Sequence, residues 1–529
     1  MSLLSGIYVG AGALRTGSDA LNTVAHNLSN VDTAAYTRQQ VSLSTRHYNV
    51  LAGSNSTVYT ADIGMGVRYA EARQVRDYFL DKTYRKESGR SAFYEVSYTS
   101  MIQLEDLLGE SGDNNFQESI SDFWKTIQNL ANDPSSPITQ GLFVSKAQTL
   151  IERATNVYES VCDYQDNLNT QVKSAVDQIN KYGQRIKELN DQIAKIEIGG
   201  VEHANDLRDE RNAILDELSK LCDIKYSEDV DTYVSVQIEG VDFVKRDTVY
   251  EMAMDMDENG FYTPYWPQNA SSYINETGQR VYNADSARVF DLQREISSDL
   301  DTDVGRVKGL LLARGDHRAN SDDLTTENDH YNKNIAQSIC MNIQAEFDGL
   351  ISNIATAVNK ILGDAGYNDG TNNTDNLLFV RIIPENDIEE GWHVGNIAVN
   401  PNFLQQPSLL KMKTEDGSVD YTTAEKLKDA FNTKDYKLNP NTTKKTNFME
   451  YYSDLVTQIS NSGSVYEAIY SSQQTTVEEA ANAREQIVGV SSDEELQFMI
   501  MYQNAYNAAS RYINTLNSML ENMLNAFGA

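Results

Sequence analysis

Apolar and small residues recur at alternating steps of four and three at both ends of this chain. The first series is Leu3, Ile7, Gly10, Leu14, Gly17, Leu21, Val24, Leu28 and Val31. The second is Met499, Tyr502, Tyr506, Ala509, Ile513, Leu516, Leu520, Met523 and Phe527. Each covers 29 residues, roughly 43 Å of helix at about 1.5 Å per residue. This alternation is the heptad pattern, which holds one seam against a partner helix. Residues 1–31 carry only Arg15 and Asp19 as formal charges, and 496–529 only Arg511 and Glu521, in a chain of net charge −33. Chain ends are ordinarily poorly ordered. Two charge-poor seams of equal length predict instead that the ends pair and are buried in an assembly. The residues expected to carry subunit packing are Leu14, Leu21, Leu28, Tyr502, Tyr506, Ile513, Leu516 and Leu520.

The balance of 44 basic against 77 acidic residues excludes nucleic acid and anionic membrane as partners, since nothing neutralises phosphate. No run of 18 apolar residues exists to span a bilayer. Eight prolines and 23% charged residues argue against wholesale disorder. The three cysteines, Cys162, Cys222 and Cys340, are far apart and make neither a disulfide framework nor a CxxC pair. Cys162 and Cys340 lie in helical patterns and read as packing residues. The first basic side chain is Arg15, so the N-terminus lacks the basic start of a cleaved signal peptide. A secreted chain of this kind is expected to leave the cell by another route.

Inside the terminal seams the period changes repeatedly. Turn and cap residues end the first helix near Asn30, and 34–75 reads as extended loop with short strands. Residues 76–222 are helical. Phe116, Ile120, Phe123, Ile127 and Leu130 form one stripe, ended at Asn132-Asp133-Pro134. A second runs from Phe143 to Ile196, 54 residues, with a stutter at Tyr164–Leu168–Val172. A return helix over 203–222 turns Leu207, Ile214, Leu218 and Leu221 inward. Val234, Val236 and Ile238 then alternate with polar residues, and Gly240 and Asn259-Gly260 mark turns. Helix returns over about 303–362, with Phe347, Leu350, Ile354, Ala357 and Ile361 on one face. A loop-rich stretch holding Asn368-Asp369-Gly370 follows, and helix resumes near 446 with a break at 489–493.

The expected fold is therefore mainly α with β-rich insertions: an elongated multi-domain rod with its terminal helices paired as a coiled coil and its domains nested. The expected domains are 1–45 with 490–529, a terminal coiled coil; 46–227 with 303–362 and 413–489, a helical rod; 228–302, a β-rich outer domain; and 363–412, a second loop- and strand-rich insertion.

Candidate chemistry is thin. Asp255-x-Asp257-x-Asn259-Gly260 copies half of a calcium loop, but its twelfth position is Trp266 where a bidentate Glu is needed. The six histidines have no His or Cys partner at ligand spacing. No HExxH, GxSxG or Walker sequence occurs. Gly6, Gly10 and Gly12 precede no phosphate-binding unit, and Gly10 lies on the seam, where a small residue lets helices approach. No catalytic, cofactor-binding or metal residue is expected. Thirty tyrosines favour interfaces, with Tyr502, Tyr506 and Tyr512 on the last helix assigned to subunit contacts.

Several segments resemble the axial proteins of the bacterial flagellum. HNLSNVDTAAYTRQQ (26–40) is similar to their shared N-terminal motif, with Ala35 where Gly is usual. The segments at 104–137, 203–221 (HANDLRDERNAILDELSKL), 397–410 (IAVNPNFLQQPSLL) and 489–524 resemble, in that order, the flagellar hook-associated protein 1 family. This resemblance implies a structural, non-enzymatic hook–filament junction subunit. It implies a homo-oligomeric ring contacting hook protein and the second junction protein. It also implies type III export to the extracellular flagellum without a cleaved signal peptide, with an export chaperone on the C-terminal helix. Two alternatives stand beside it: another axial protein, either hook protein or the second junction protein, and a surface hydrolase carried on the insertions.

Overall fold

The computed structural model describes residues 3–33, 35–46, 49–50, 62–63, 65–108, 115–199, 202–274, 280–324, 328–365, 377–382, 391–410, 412–414, 416–526 and 528. The turn residues Asn368-Asp369-Gly370 and the seam residue Phe527 lie outside them. The helices in chain order are α1 (Leu3–Ser29), α2 (Tyr78–Leu107), α3 (Phe116–Asn132), α4 (Pro137–Glu197), α5 (Asn205–Leu221) and α6 (Arg306–Arg314). They continue with the single turn α7 (Asn328–His330), α8 (Ile339–Ala365), α9 (Pro401–Gln405), α10 (Tyr421–Asn432), α11 (Phe448–Val488) and α12 (Ser492–Ala526). The fold is mainly α with short strands, as the periodicity predicts.

Contacts divide the chain into two units. The first holds residues 1–89, 179–251 and 474–529. In it α1 and α12 pack together, and strands Gln39–Thr45 and Val67–Gln74 form an antiparallel hairpin with an irregularity at Ser42/Leu43. Strands Ile224–Glu228, Val234–Ile238, Val241–Lys245 and Thr248–Val249 make a sequential antiparallel sheet. Val234, Val236 and Ile238 are its buried face, the alternation the sequence predicts. Gly183 of α4 meets that sheet so closely that a Cβ would lie 2.4 Å from Phe243 Cζ.

The second unit holds residues 90–178 and 252–473. Its core is aromatic. Phe123 stacks on Phe143 at 5.3 Å, and Phe431 meets Phe123, Trp124 and Phe448 at 5.6, 5.7 and 4.9 Å. Phe431 comes from α10, an element the sequence reading does not isolate. Along α8 the buried face is Phe347, Leu350, Ile351, Ile354, Ala355, Val358 and Leu362. The expected Ala357 and Ile361 are only half-buried, because a helix buried this broadly does not keep a single narrow row inward. The continuous helix expected over 303–362 is likewise broken between α6 and α8 by short turns.

Both units dock extended backbone onto helices by one device. A buried helix asparagine offers its carboxamide to a strand as a neighbouring strand would. Asn27 Nδ2 donates to Gln39 O at 2.9 Å and Asn27 Oδ1 accepts from Gln39 N at 3.0 Å. Asn190 does the same with Val234 at 2.9 and 3.1 Å, and Asn359 with Phe379 at 2.8 and 3.0 Å. Asn169 donates to Gly260 O at 3.0 Å and accepts from Tyr262 N at 2.9 Å. The Asn190 and Asn169 oxygens each take a further bond from a buried guanidinium, Arg211 at 2.9 Å and Arg314 at 2.6 Å.

Glu346 is fully buried in the second unit. It accepts from Asn439 Nδ2 at 2.8 Å and from Gln458 Nε2 at 2.9 and 3.0 Å. Burial pushes its carboxyl up to about 7 against those amides. The folded state therefore binds this proton more tightly than the unfolded state. The resulting stabilisation is full below the unfolded value of 4.5 and is lost as pH rises through about 7. The urea midpoint of the wild type should fall from pH 5 to pH 8 by more than that of Glu346→Gln. The difference should correspond to on the order of 2–3 kcal/mol, and parallel pH profiles would refute the assignment.

Candidate assembly interface

The terminal helices run antiparallel. Gly6 lies against Tyr512 and Leu516, Gly10 against Ile513 and Gly17 against Tyr506, so partner numbers fall as α1 advances. A Cβ on Gly10 would sit 2.7 Å from Ile513 Cγ1, and one on Gly6 3.0 Å from the Tyr512 hydroxyl. Small residues thus set the approach of the two backbones. Of the seam residues, Val24, Ala509 and Leu516 are buried. Of the expected packing residues, Leu14, Leu21, Leu28, Tyr502, Ile513 and Leu520 are half-buried, and Tyr506 is exposed.

The other side of α1 is covered by the 39–45/67–74 hairpin. Gly66, at φ +83°, places its α-carbon where a Cβ would be 3.1 Å from Val9. Among the described residues no comparable element covers the other side of α12, and its buried residues are Glu495, Ala509 and Leu516. Along the flank of its seam, Met501 and Met519 are 50 and 52% exposed, and Tyr512, which also touches Gly6, and the seam residue Met523 keep 41 and 43% of their surface exposed. Steps of 11, 7 and 4 put these four on one helix face.

A polar cluster closes the pair where α1 ends and α12 begins. Asn27 uses its second amide hydrogen on Glu495 at 3.1 Å and its oxygen accepts from the Tyr36 hydroxyl at 2.8 Å. Its four hydrogen-bonding positions are thereby filled. Glu495 is 2% exposed and also accepts from Arg38 Nε at 2.9 Å. Arg38 reaches Glu494 at 3.1 Å, and its backbone N–H donates to Val488 O at 2.9 Å. One residue earlier, Thr37 N donates to Asp209 Oδ2 at 3.2 Å, while Gln74 Nε2 holds Asp209 Oδ1 at 2.7 Å. Burial pushes the Asp209 carboxyl up to about 6, opposed by Thr37 and Arg76.

An alternating series of ion pairs continues from there. Arg76 pairs with Asp81 at 3.0 Å, Arg484 with Asp81 at 3.7 Å and with Asp216 at 2.7 Å, and Arg85 with Asp216 at 2.6 Å. Three segments singled out in the sequence, 26–40, 203–221 and 489–524, therefore meet in one buried polar contact. Sequence reasoning missed Asn27, Arg38, Asp209 and Glu495. A signal was present: Asn27 and Arg38 flank a turn-rich segment with few apolar anchors, so their side chains had to supply its tertiary bonds.

The hydrolase alternative meets a Ser–His–Asp grouping in the second unit, and its geometry is structural. His393 Nδ1 lies 2.9 Å from Asp348 Oδ2 and 3.4 Å from Ser321 Oγ. A relay needs the hydroxyl and the carboxylate on opposite ring nitrogens, and here one nitrogen faces both. Asp348 also accepts from the backbone N–H groups of Ser321 and Val394 at 2.8 and 2.7 Å, so it ties loops together. The Asp257 carboxylate is likewise engaged by the N–H groups of Asn259 and Phe261 at 3.0 and 2.8 Å. It shapes a hairpin turn.

Comparison with known proteins decides the family. The model described as flagellar hook-associated protein FlgK helical domain matches residues 101–379, more than half of the chain. The chain belongs to the flagellar hook-associated protein FlgK family. A second model, flagellar basal body rod FlgEFG protein C-terminal, matches 485–526, which includes all of α12. Flagellar hook-associated protein 1 of Bacillus subtilis is 26% identical, covering 100% of this chain and 99% of the relative. That of Salmonella typhimurium is 24% identical over 97% and 98%. The flagellar hook junction protein FlgK from Burkholderia pseudomallei shares the fold at TM-score 0.55 and 14% identity, covering 77% of this chain and 100% of that one. The family sets this chain among structural components of the extracellular flagellum.

Ala35, where the flagellar motif usually carries Gly, has φ +62°. A side chain there strains the backbone. Ala35→Gly should raise stability by about 1 kcal/mol after glycine's unfolded-state entropy is counted, read as a higher melting temperature. A lower one would refute the strain. Gly10→Val drives a branched side chain into Ile513 and should cost about 1–3 kcal/mol. Amide exchange along α12 should rise in that variant, and unchanged protection would show that the seam does not depend on this close approach.

Proposed function

We propose that this chain is the structural adaptor between flagellar hook and filament, built as a ring of copies. Family membership over 101–379 carries the reading, and the terminal pair supplies its mechanism. Within a copy, α12 spends its seam on α1. The exposed flank of Met501 and Met519, with the uncovered parts of Tyr512 and the seam residue Met523, remains for a neighbour. Packing of this kind is heterologous, each copy offering one face and receiving on another, with hook protein below and the second junction protein above. Leu14, Leu21, Leu28, Tyr502, Tyr506, Ile513, Leu516 and Leu520 hold the pair in register for that contact. The domain plan 1–45 with 490–529, 46–227 with 303–362 and 413–489, 228–302, and 363–412 belongs to the same proposal.

Before assembly, export runs through the flagellar type III system without a cleaved signal peptide. A chaperone covers the exposed row of α12, whose apolar surface is costly in water. We assign no catalytic activity, cofactor or metal. One observation favours a neighbouring reading: the match of 485–526 to a rod-protein C-terminal model fits any axial subunit.

Electron microscopy of a deletion strain, with assay of its medium for flagellin, separates these readings. Hooks without filaments and free flagellin are expected. Absent hooks would make the chain a rod or hook component, and normal motile filaments would end the flagellar reading. Ile513→Asp, which puts a carboxylate in the seam, should leave the two units folded and reduce incorporation to background. Normal incorporation would sink the role assigned to the terminal seam.

A further inference from the structure

The terminal cluster leaves two resemblance segments unused, 104–137 and 397–410, and the residues that directly follow the first meet the second in the second unit. Residues 134–145 at the start of α4 carry no charged side chain, and neither do 394–410, in a chain that is 23% charged. They touch where Gly141 faces Pro407, a Cβ there lying 3.8 Å from Pro407 Cγ. Around that contact Ile138 is 74% exposed, Leu142 45%, Leu404 39% and Leu409 46%. Between α4 and strand Ile397–Val399 runs a groove of about 530 Å³.

The backbone that presents this patch is fixed from beneath. Asn400 caps α9 by accepting from Asn402 N at 3.1 Å, and its Nδ2 bonds Leu377 O at 3.1 Å. Phe403 and Leu410 are buried while Leu404 and Leu409 point out. Exposed apolar side chains on a rigid, charge-free platform mark an interaction surface.

Charge selects the partner. A basic partner would be met by carboxylates, and residues 134–145 and 394–410 supply none to the patch; Glu152 and Glu159 line the adjoining groove. The nearest cation on α4, Lys146, is held by Asp122 at 2.8 Å. A neutral apolar patch suits a partner as acidic as this chain, because two surfaces of the same sign approach only where neither is charged. The terminal helices show the same charge depletion. We propose that the Ile138–Leu142/Leu404–Leu409 patch is a second contact between copies of this chain, separate from the terminal helices. The proposal rests on the ring reading above.

A photocrosslinking residue at Leu409 in assembled flagella tests it. The expected adduct contains two copies of the 59.2 kDa chain. An adduct with another axial protein, or no adduct in flagella whose junctions contain the labelled chain, would overturn the proposal. Leu142→Glu with Leu409→Glu alters exposed positions and should preserve the melting temperature. It should lower junction incorporation about tenfold or more, since two carboxylates would have to be desolvated in an apolar contact. Full incorporation of a folded double variant would also overturn it while leaving the junction reading intact. That reading falls separately, if the deletion strain makes normal filaments.

Discussion

The fold rests on pairing a side-chain amide with a peptide unit. A strand docked on a helix has backbone donors and acceptors that the helix, saturated internally, does not satisfy. Burying one such group unpaired costs about 1–3 kcal/mol, and each docked strand residue has two. Asn27, Asn190, Asn359 and Asn169 each remove that cost at one place. Only Asn and Gln carry a donor and an acceptor in the peptide's own arrangement, and Asn reaches no further than its own helix surface. The short strands of this chain can therefore lie on helices instead of assembling into a large sheet. That is how a mainly helical chain holds the short strands at Gln39, Val234, Tyr262 and Phe379 against its helices.

Two of these amides are backed by a buried arginine, and the pairing limits what the arginine costs. Arg211 and Arg314 are 2 and 3% exposed. Burial lowers the Arg314 guanidinium to about 10, yet it remains ionised at neutral pH. Arg314 bonds the oxygens of Asn169, Tyr262 and Gly315 at 2.6, 2.9 and 2.9 Å. A buried cation served by carbonyl dipoles adds directional constraint more than net stability. It fixes one register of hairpin on helix, and a subunit repeated around the proposed ring would gain from having one register.

Periodicity made the helices legible, and its limits explain the rest. The seams of α1 and α12, the long α4 and the break between α11 and α12 follow from spacing, because a period of 3.5 to 3.6 repeats many times within each. The alternation of Val234, Val236 and Ile238 was readable for the same reason. The asparagine anchors were not, since Asn in a single sequence reads as a turn or cap residue and its partner lies 12 to 93 positions away. The polar cluster at Asp209 and Glu495 was hidden likewise, because a carboxylate looks solvated until its partners are known. Ala35 was visible as a departure from the flagellar motif, but its positive φ was not. On α8 the apolar residues outnumber one narrow stripe, so the sequence offered two neighbouring faces and the core took most of both.

The terminal pair is fastened unevenly, and this bears on assembly. At its polar end, Asn27 and Glu495 are buried and bonded to each other, and the half-buried Arg38 pairs with Glu495, so opening there would leave the buried Glu495 carboxylate unpaired. Toward the chain ends the contact is glycine against Ile513, Tyr512 and Leu516, with Leu516 the last buried residue of α12. Local opening is cheapest where buried contacts are fewest. α1 packs on the hairpin as well as on α12, whereas beyond the Arg38 contacts at its start α12 meets chiefly α1 among the described residues. The last turns of α12 can thus change neighbours at small cost while the polar end preserves their direction. In the proposed ring, that asymmetry lets each incoming copy seat its exposed Met501–Met523 row on a neighbour without first unfolding the motif that positions it.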